Sequence, residues 1–490
     1  MKHKAKIFLL LTIMILSVGC EEWLDLIPPQ GLIREEFWQS KEDVDAVVMG
    51  AYETFASLDD KLFRYGELRA DMVTGDVNLG EGERMVAESN IYPDNWLCNW
   101  ADFYKVINYC NEIIKNAPLV REIDNTFTDY QLQGYLSEAH FLRSLAYFYL
   151  VRIFKDVPYI TEPTEADDAD VYPSKMDGDE LLRLVLEDLD AIRPVATTDG
   201  YQTLAEVRGR ATKGSIDALM ADISLWLFEY EDVIEYVERI ENSDLYELMP
   251  SARWFELFYP GNTLEGIFEF QFNDQLNQPN SLYGMTQRQS YSYDPSQKAI
   301  EMFGIEFSRE FVRGEDASIR KYGEDDFIIW KYVGRSPDGE TVRSGSVQRS
   351  CNWIVYRLAD VLLMKAEALS QLGRYSEALE IINDEIRSRA DVTPLSLPDS
   401  PQAYEDAILQ ERALELAFEG KRWFDLVRMG RRNNFSRKND LIEIIVSSVP
   451  STQKRILATK LTNPLGWYLP IYETEVERNP NLLQNPYYIF

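Results

Sequence analysis

Two stretches of this 490-residue chain mix flat aromatic rings with hydrogen-bonding side chains. That combination grips a ligand with an apolar face and a polar rim, as a sugar has. One stretch is 84–100 (RMVAESNIYPDNWLCNW), with Arg84, Asn95, Trp96 and Asn99. The other is 280–293 (NSLYGMTQRQSYSY), with Tyr283, Arg288, Tyr291 and Tyr293. Tyr291 and Tyr293, two apart, share one side of an extended segment. Large aromatics mostly bury, so Trp96 is weighed as a packing residue against its reading as a platform. Trp100 opens a helix with Phe103 and Tyr104 and is read as core; Trp330 is a weaker candidate.

A second constellation is ionic. Glu411, Arg412, Glu415, Glu419, Arg422 and Asp425 crowd one short stretch, and Arg357 and Asp360 form a similar pair. Carboxylate-pair hydrolysis of a glycoside needs two acids about 5–9 Å apart in a cleft. The preferred reading is structural: Arg422 and Asp425, three apart, can pair on one helix face, with Gly420 breaking the chain between two helices. The chain has two histidines, His3 and His140. His140 lies in the apolar run 136–153, where a packed or surface histidine is expected rather than a base. Multi-histidine zinc sites are thereby excluded, and no phosphate-binding glycine loop or CxxC is present. No metal or cofactor is expected.

A third reactive group is Cys20. Lys2, Lys4 and Lys6 precede an apolar run at 7–18 (IFLLLTIMILSV), and Gly19-Cys20 follows. The run is short for a bilayer span, which takes about 20 residues, and it has the form of a secretory signal over 1–19. Ser17-Val18-Gly19-Cys20 resembles a bacterial lipobox, with Ser17 where Leu is usual. Acylation of Cys20 would hold the remaining chain on a membrane, because each buried CH₂ contributes about 0.8 kcal/mol.

The elements that position these residues follow from composition and periodicity. The 82 acidic against 50 basic residues give a net charge of −32, and residues 1–19 take three lysines and no acid with them. Such a surface disfavours nucleic acid and anionic headgroups. Hydrophobic content of 45% with 12% aromatics is that of a packed globular protein. Cys98, Cys110 and Cys351 remain; Cys98 and Cys110 could bridge, but so few thiols do not staple a fold of this size. Helical periodicity predicts helices over 41–58, 101–116, 136–153, 178–192, 213–240, 354–373, 376–389 and 403–428. Residues 60–96 are rich in glycine and acid, and 250–350 reads as an irregular insert with one strand-like stretch, 266–272. Leu362, Ala366, Leu369, Gly373, Tyr375, Ala378 and Ile382 fall at tetratricopeptide spacings. A weaker copy at 218–240 lacks the turn glycine.

Several blocks identify a family. Residues 21–52, beginning EEWLDL, resemble the mature start of SusD/RagB-family lipoproteins. Residues 138–159 (EAHFLRSLAYFYLVRIFKDVPY), 356–369 (YRLADVLLMKAEAL), 408–428 (ILQERALELAFEGKRWFDLVR) and 468–487 (YLPIYETEVERNPNLLQNPY) resemble its ordered motifs. Departures are Lys155 for a usual Gly, Lys365 for an aromatic and Tyr472 for a Pro. The resemblance implies a mostly α fold, a superhelix of four tetratricopeptide-like helix pairs with loop-rich and minor β excursions. It divides the chain into a 20–210 region and a 211–490 region packed as one body.

It further implies a noncatalytic lipoprotein that binds oligosaccharide or polysaccharide at the outer membrane. Such proteins form a lid on a SusC-like TonB-dependent transporter. Glu21-Glu22 after Cys20 resembles the acidic tag that sends such lipoproteins to the cell exterior. A peptide-binding lid of the same family, and less readily a carboxylate-pair surface glycosidase, stand as alternatives. The ligand loops diverge within the family, so the eight aromatic and polar residues named first are expectations from residue type alone.

Overall fold

The computed structural model describes residues 37–76, 78–164, 172–288, 292–305, 310–323 and 326–489. The expected signal segment, Cys20, Trp23 and Tyr291 lie outside them. The fold is mostly α, with helix hairpins packed in series. The helix Ala101–Ile123 pairs with Asp129–Phe154, Lys213–Leu227 with Tyr230–Glu241, and Leu358–Gln371 with the segment beginning Tyr375–Glu380. Gly178–Ile192 lies between the first two hairpins, and Pro401–Glu415 packs on Leu358–Gln371.

Local chemistry sets these boundaries. Ser40 caps Lys41–Ala56 and Thr128 caps Asp129–Phe154, each in a reciprocal capping box that satisfies otherwise orphaned amides. Asp129–Phe154 is buried almost continuously from Ser137 to Phe154, because other helices cover it on several sides. Each large apolar side chain fully buried there contributes roughly 1.5–3 kcal/mol.

The predicted single helix at 213–240 is two helices. Phe228 takes the left-handed conformation (φ 65°) that Gly373 (φ 75°) takes in the clear repeat copy. The turn survives without glycine at the cost of a strained residue. The predicted 354–373 helix is likewise shorter at its start. Trp353–Arg357 is a buried strand paired antiparallel with Gly266–Phe270, and the helix begins at Leu358. The expected strand at 266–272 is that partner. Gly420 (φ 72°) separates Pro401–Glu415 from Arg422–Phe435.

Three other two-stranded antiparallel ribbons lie among the described residues. They are Val73–Gly75 with Tyr293–Pro295, Val157–Pro158 with Lys175–Met176, and Ile319–Lys321 with Phe327–Ile329. The first of these places Gly75 opposite Tyr293, so the end of the second predicted ligand stretch lies beside chain that precedes the first.

The ionic constellation is buried and structural. Arg357 meets Glu265 at 2.8 Å, Glu415 at 2.7 Å and Glu419 at 2.9 Å. Arg313 meets Glu411 at 2.6 Å, and Arg412 meets Asp360 at 3.0 Å and Asp425 at 2.9 Å. The expected Arg422–Asp425 pair is replaced: Arg422 reaches Asp71 at 2.7 Å, and Asp425 pairs with Arg412 and with Arg428. Long-range partners win here because each buried charge must be matched by opposite charge and hydrogen bonds. All three remaining cysteines are free and buried, so the possible Cys98–Cys110 bridge is not formed. Burial pushes the Cys110 thiol up to about 12. His140 Nδ1 lies 2.8 Å from the Asp188 carboxylate, which Arg143 also meets, so it is a hydrogen-bonded histidine on a packed helix.

Candidate functional site

The Asp59–Glu67 helix supplies the centre of the site. Its Arg64 donates from Nη1 to Asp60 at 2.6 Å and from Nε to the Tyr293 hydroxyl at 2.9 Å, with Glu83 3.3 Å away. The guanidinium carbon is 5.2 Å from the centroid of the Trp96 ring and 5.7 Å from that of Tyr293. One cation therefore joins an aromatic from each predicted stretch. Its charge is matched by Asp60 and Glu83, which raise its pKa against the opposing effect of burial.

Trp96 is 38% exposed. It opens the short 3₁₀ turn Trp96–Cys98, whose cap is Asn95. The Asn95 side chain accepts the Leu97 amide at 3.0 Å and donates to the Gly82 carbonyl at 2.9 Å. Gly82 lies so close that an added Cβ would stand 2.9 Å from the Trp96 indole nitrogen. The indole is thus held at its nitrogen edge by the Gly82 backbone and over one face by Arg64, while part of it stays in water. Tyr92, four residues earlier, is 51% exposed. Its carbonyl accepts the Asn95 amide at 3.0 Å, closing the turn that links the two rings.

The other expected residues are placed differently. Asn95 is buried and spent on the cap; Asn99 accepts the Ala101 amide at 2.9 Å and so caps the following helix. Arg84 is exposed on the Glu81–Ala87 helix. Tyr283 is buried, donating to the Arg343 carbonyl at 3.3 Å. Tyr293 is fully buried and offers no ring face to solvent; burial drives its hydroxyl well above the ordinary phenol range. Arg288 is exposed but turns to Asp326, with bonds of 2.8 and 3.0 Å, and lies over Tyr322. Trp100 is core, edge-on to Phe154 and Tyr104, and Trp330 is buried.

Residue-type reasoning did not single out Arg64, Asp60, Glu83 or Tyr92. Tyr92 carried a signal, since it precedes a Pro-Asp-Asn turn in the first aromatic stretch. Arg64 carried none, because its Tyr293 partner is 229 residues away.

Near this cluster, burial with Asp76 and Asp326 nearby pushes the Asp294 carboxyl up to about 7. Asp294 Oδ1 is buried without a partner.

Two family models match the chain. One, described as the SusD family, matches residues 247–488, and one described as "Starch-binding associating with outer membrane" matches residues 22–211. The chain belongs to the SusD-like family. A SusD-like protein, P38, of Formosa agariphila is 27% identical over 98% of each chain. Among solved structures, surface glycan-binding protein A of Bacteroides uniformis superposes with a TM-score of 0.72 at 22% identity. It covers 91% of this chain and all of that one. A laminarin-binding SusD-like protein gives a TM-score of 0.72 at 21% identity, over 91% of this chain and 99% of its own. The helical SusD-like architecture is common to all of them, and no described helix is long and apolar enough to cross a membrane.

Proposed function

We propose that this SusD-like chain is a noncatalytic glycan receptor, holding its ligand on the exposed faces of Trp96 and Tyr92. The single observation that carries the reading is Trp96, an indole braced by Arg64 and Gly82 yet left 38% exposed. An immobilised ring loses little entropy on binding, so it suits stacking against the C–H face of a pyranose. Asp60 and Glu83, paired with the Arg64 that lies over the ring, put carboxylates close to it. Two structural relatives described as glycan- or laminarin-binding support the ligand class. Burial of Glu411, Glu415 and Glu419 in ion pairs takes the carboxylates of the ionic constellation away from solvent and supports a binding role.

Cys20 then carries the lipid that tethers the receptor at the outer membrane, facing the exterior. The bound glycan passes to a SusC-like TonB-dependent transporter beneath it. Affinity electrophoresis of the purified chain through laminarin and a panel of other polysaccharides tests the binding claim. Retention by one of them that Trp96→Ala and Tyr92→Ala remove supports it. No retention by any polysaccharide, with binding of peptides instead, overturns it in favour of a peptide receptor. New reducing ends after incubation would make the protein a hydrolase. Co-purification with a TonB-dependent receptor from solubilised membranes tests the partner.

A further inference from the structure

Asp94 falls midway in the chain between the two solvent-facing rings, Tyr92 and Trp96. Two residues span at most about 7 Å, so its backbone is close to both. Pro93 and Asp94 form the corner of the turn that the Asn95 amide closes on the Tyr92 carbonyl at 3.0 Å. That corner is held in place. The proline ring fixes its own φ, and the Pro93 carbonyl accepts the Glu473 amide at 3.0 Å. The side chain of Asn95, the next residue, ties the turn to Gly82 and Leu97.

Asp94 is exposed, and among the described residues no hydrogen bond or ion pair engages its carboxylate. Asp60, Glu83, Glu88 and Asp102 are, by contrast, engaged. Asp60 and Glu83 meet Arg64 at 2.6 and 3.3 Å, Glu88 accepts from Asn90 at 3.1 Å, and Asp102 meets Lys61 at 2.7 Å. The Asp94 charge reaches the turn that carries the indole: after burial, it is the next cause that pushes the Cys98 thiol up. Even counting Arg84, the exposed cation of the same stretch, Arg64 and Arg84 face three carboxylates, those of Asp60, Glu83 and Asp94, on a chain of net charge −32. A sulfated or uronate polymer meets repulsion there. An uncharged sugar instead brings hydroxyl donors to a free carboxylate, and such charge-assisted bonds are about twice as strong as neutral ones.

We propose that Asp94 is the specificity-determining residue of the platform, its carboxylate accepting from adjacent hydroxyls of an uncharged glycan stacked on Trp96. The inference rests on the glycan reading of Trp96 and narrows it to uncharged polymers with free hydroxyls. The test runs the purified chain, Trp96→Ala, Asp94→Ala and Asp94→Asn through gels of laminarin, dextran and xyloglucan, and of alginate and carrageenan, at low ionic strength. Expected is retention by an uncharged polysaccharide and by neither polyanion. Asp94→Ala should weaken that retention about tenfold and Asp94→Asn, whose amide oxygen still accepts, roughly threefold, with Tm unchanged in both. Partial O-methylation of the retained polysaccharide should bring wild type and Asp94→Ala together, because the hydroxyls that Asp94 needs are gone. A difference that persists after methylation makes Asp94 merely structural and overturns the proposal. So does retention that Trp96→Ala abolishes but Asp94→Ala leaves intact, or a preference for alginate or carrageenan. No retention of the wild type by any of the five fails the glycan reading itself, and this inference with it.

Discussion

Arg64 lies with its guanidinium carbon 5.2 Å from the centroid of Trp96, and so fixes the indole that the solvent reaches. Removing the ring and removing its brace should have separable effects. Trp96→Ala is expected to weaken glycan binding at least about tenfold, the size of a loss of about 1.4 kcal/mol, with little change in Tm. Tyr293→Phe deletes the hydroxyl that accepts Arg64 Nε but leaves Asp60 and Glu83 in place, so binding should fall less. Isothermal titration against the glycan identified by affinity electrophoresis, beside a thermal melt of each variant, checks both. Equal binding by Trp96→Ala and wild type removes Trp96 from the site.

The buried ion pairs give a prediction of the opposite kind. Glu415 is fully buried and accepts from Arg357, Arg313 and Arg389, and these guanidiniums hold its carboxyl well below the ordinary range. Glu415→Gln should destabilise the fold by about 3–5 kcal/mol, because it leaves buried cations short of a counter-charge. Glycan affinity of the folded fraction should be unchanged. Urea unfolding and binding measured on the same preparation separate these; a near-normal midpoint would show that the network carries little stability.

Periodicity made much of the helical body legible. The helix at 178–192 is found at its predicted bounds, and 41–58 is found shortened by two residues, because each has an amphipathic stripe and acid in its first turn. Periodicity failed at 353–357, where an apolar run looks alike as buried helix or buried strand. There the deciding partner, Gly266–Phe270, is distant in sequence. The site was less legible for a related reason. Sequence flagged Trp96 and Tyr293, but residue type cannot say which ring stays in water. Tyr293 is sealed by strand pairing with Gly75 and by Arg64, and Asn95 and Asn99 are consumed as caps.

Lys155 shows where a departure from the family pattern leaves a physical mark. It stands where related sequences usually carry Gly, and its backbone is at φ 71°, ψ −79°, a region costly for any side-chain-bearing residue. Its ion pair with Asp156 at 2.7 Å involves a side chain 37% exposed, and such pairs contribute at most about 1 kcal/mol. Relief of about 1–3 kcal/mol of strain should outweigh the lost pair and the added unfolded-state freedom of glycine. Lys155→Gly is therefore expected to raise stability by about 1 kcal/mol, read as a higher urea midpoint with unchanged m. A lower midpoint would show that the lysine is held there without strain.

Glu67 makes stability depend on pH in a direction unusual for a carboxylate. Its Oε1 accepts the Gly420 amide at 2.8 Å, its Oε2 is buried without a partner, and burial pushes its pKa from 4.5 up to about 8. The folded state thus binds the proton more tightly than the unfolded chain, so stability falls with rising pH wherever the two differ. The Glu67 contribution is fully present below about pH 4.5 and is lost as pH rises through about 8. Asp294, raised to about 7, and Asp59, raised to about 6, act with the same sign over lower windows. Glu367 opposes them at the acid end. Arg428 and Arg432 lower it to about 2, so its contribution is present above about 4.5 and is lost as pH falls towards 2. Unfolding free energy should therefore decline from pH 6 to pH 9. Glu67→Gln keeps a carbonyl for the Gly420 amide but cannot ionise, so it should flatten most of that decline while Asp294 leaves a residual slope below pH 7. Urea unfolding of both proteins at pH 6, 7, 8 and 9 reads the difference directly. Parallel curves for wild type and Glu67→Gln would mean that Glu67 is ionised in the fold and that Gly420 and its neighbours solvate the charge.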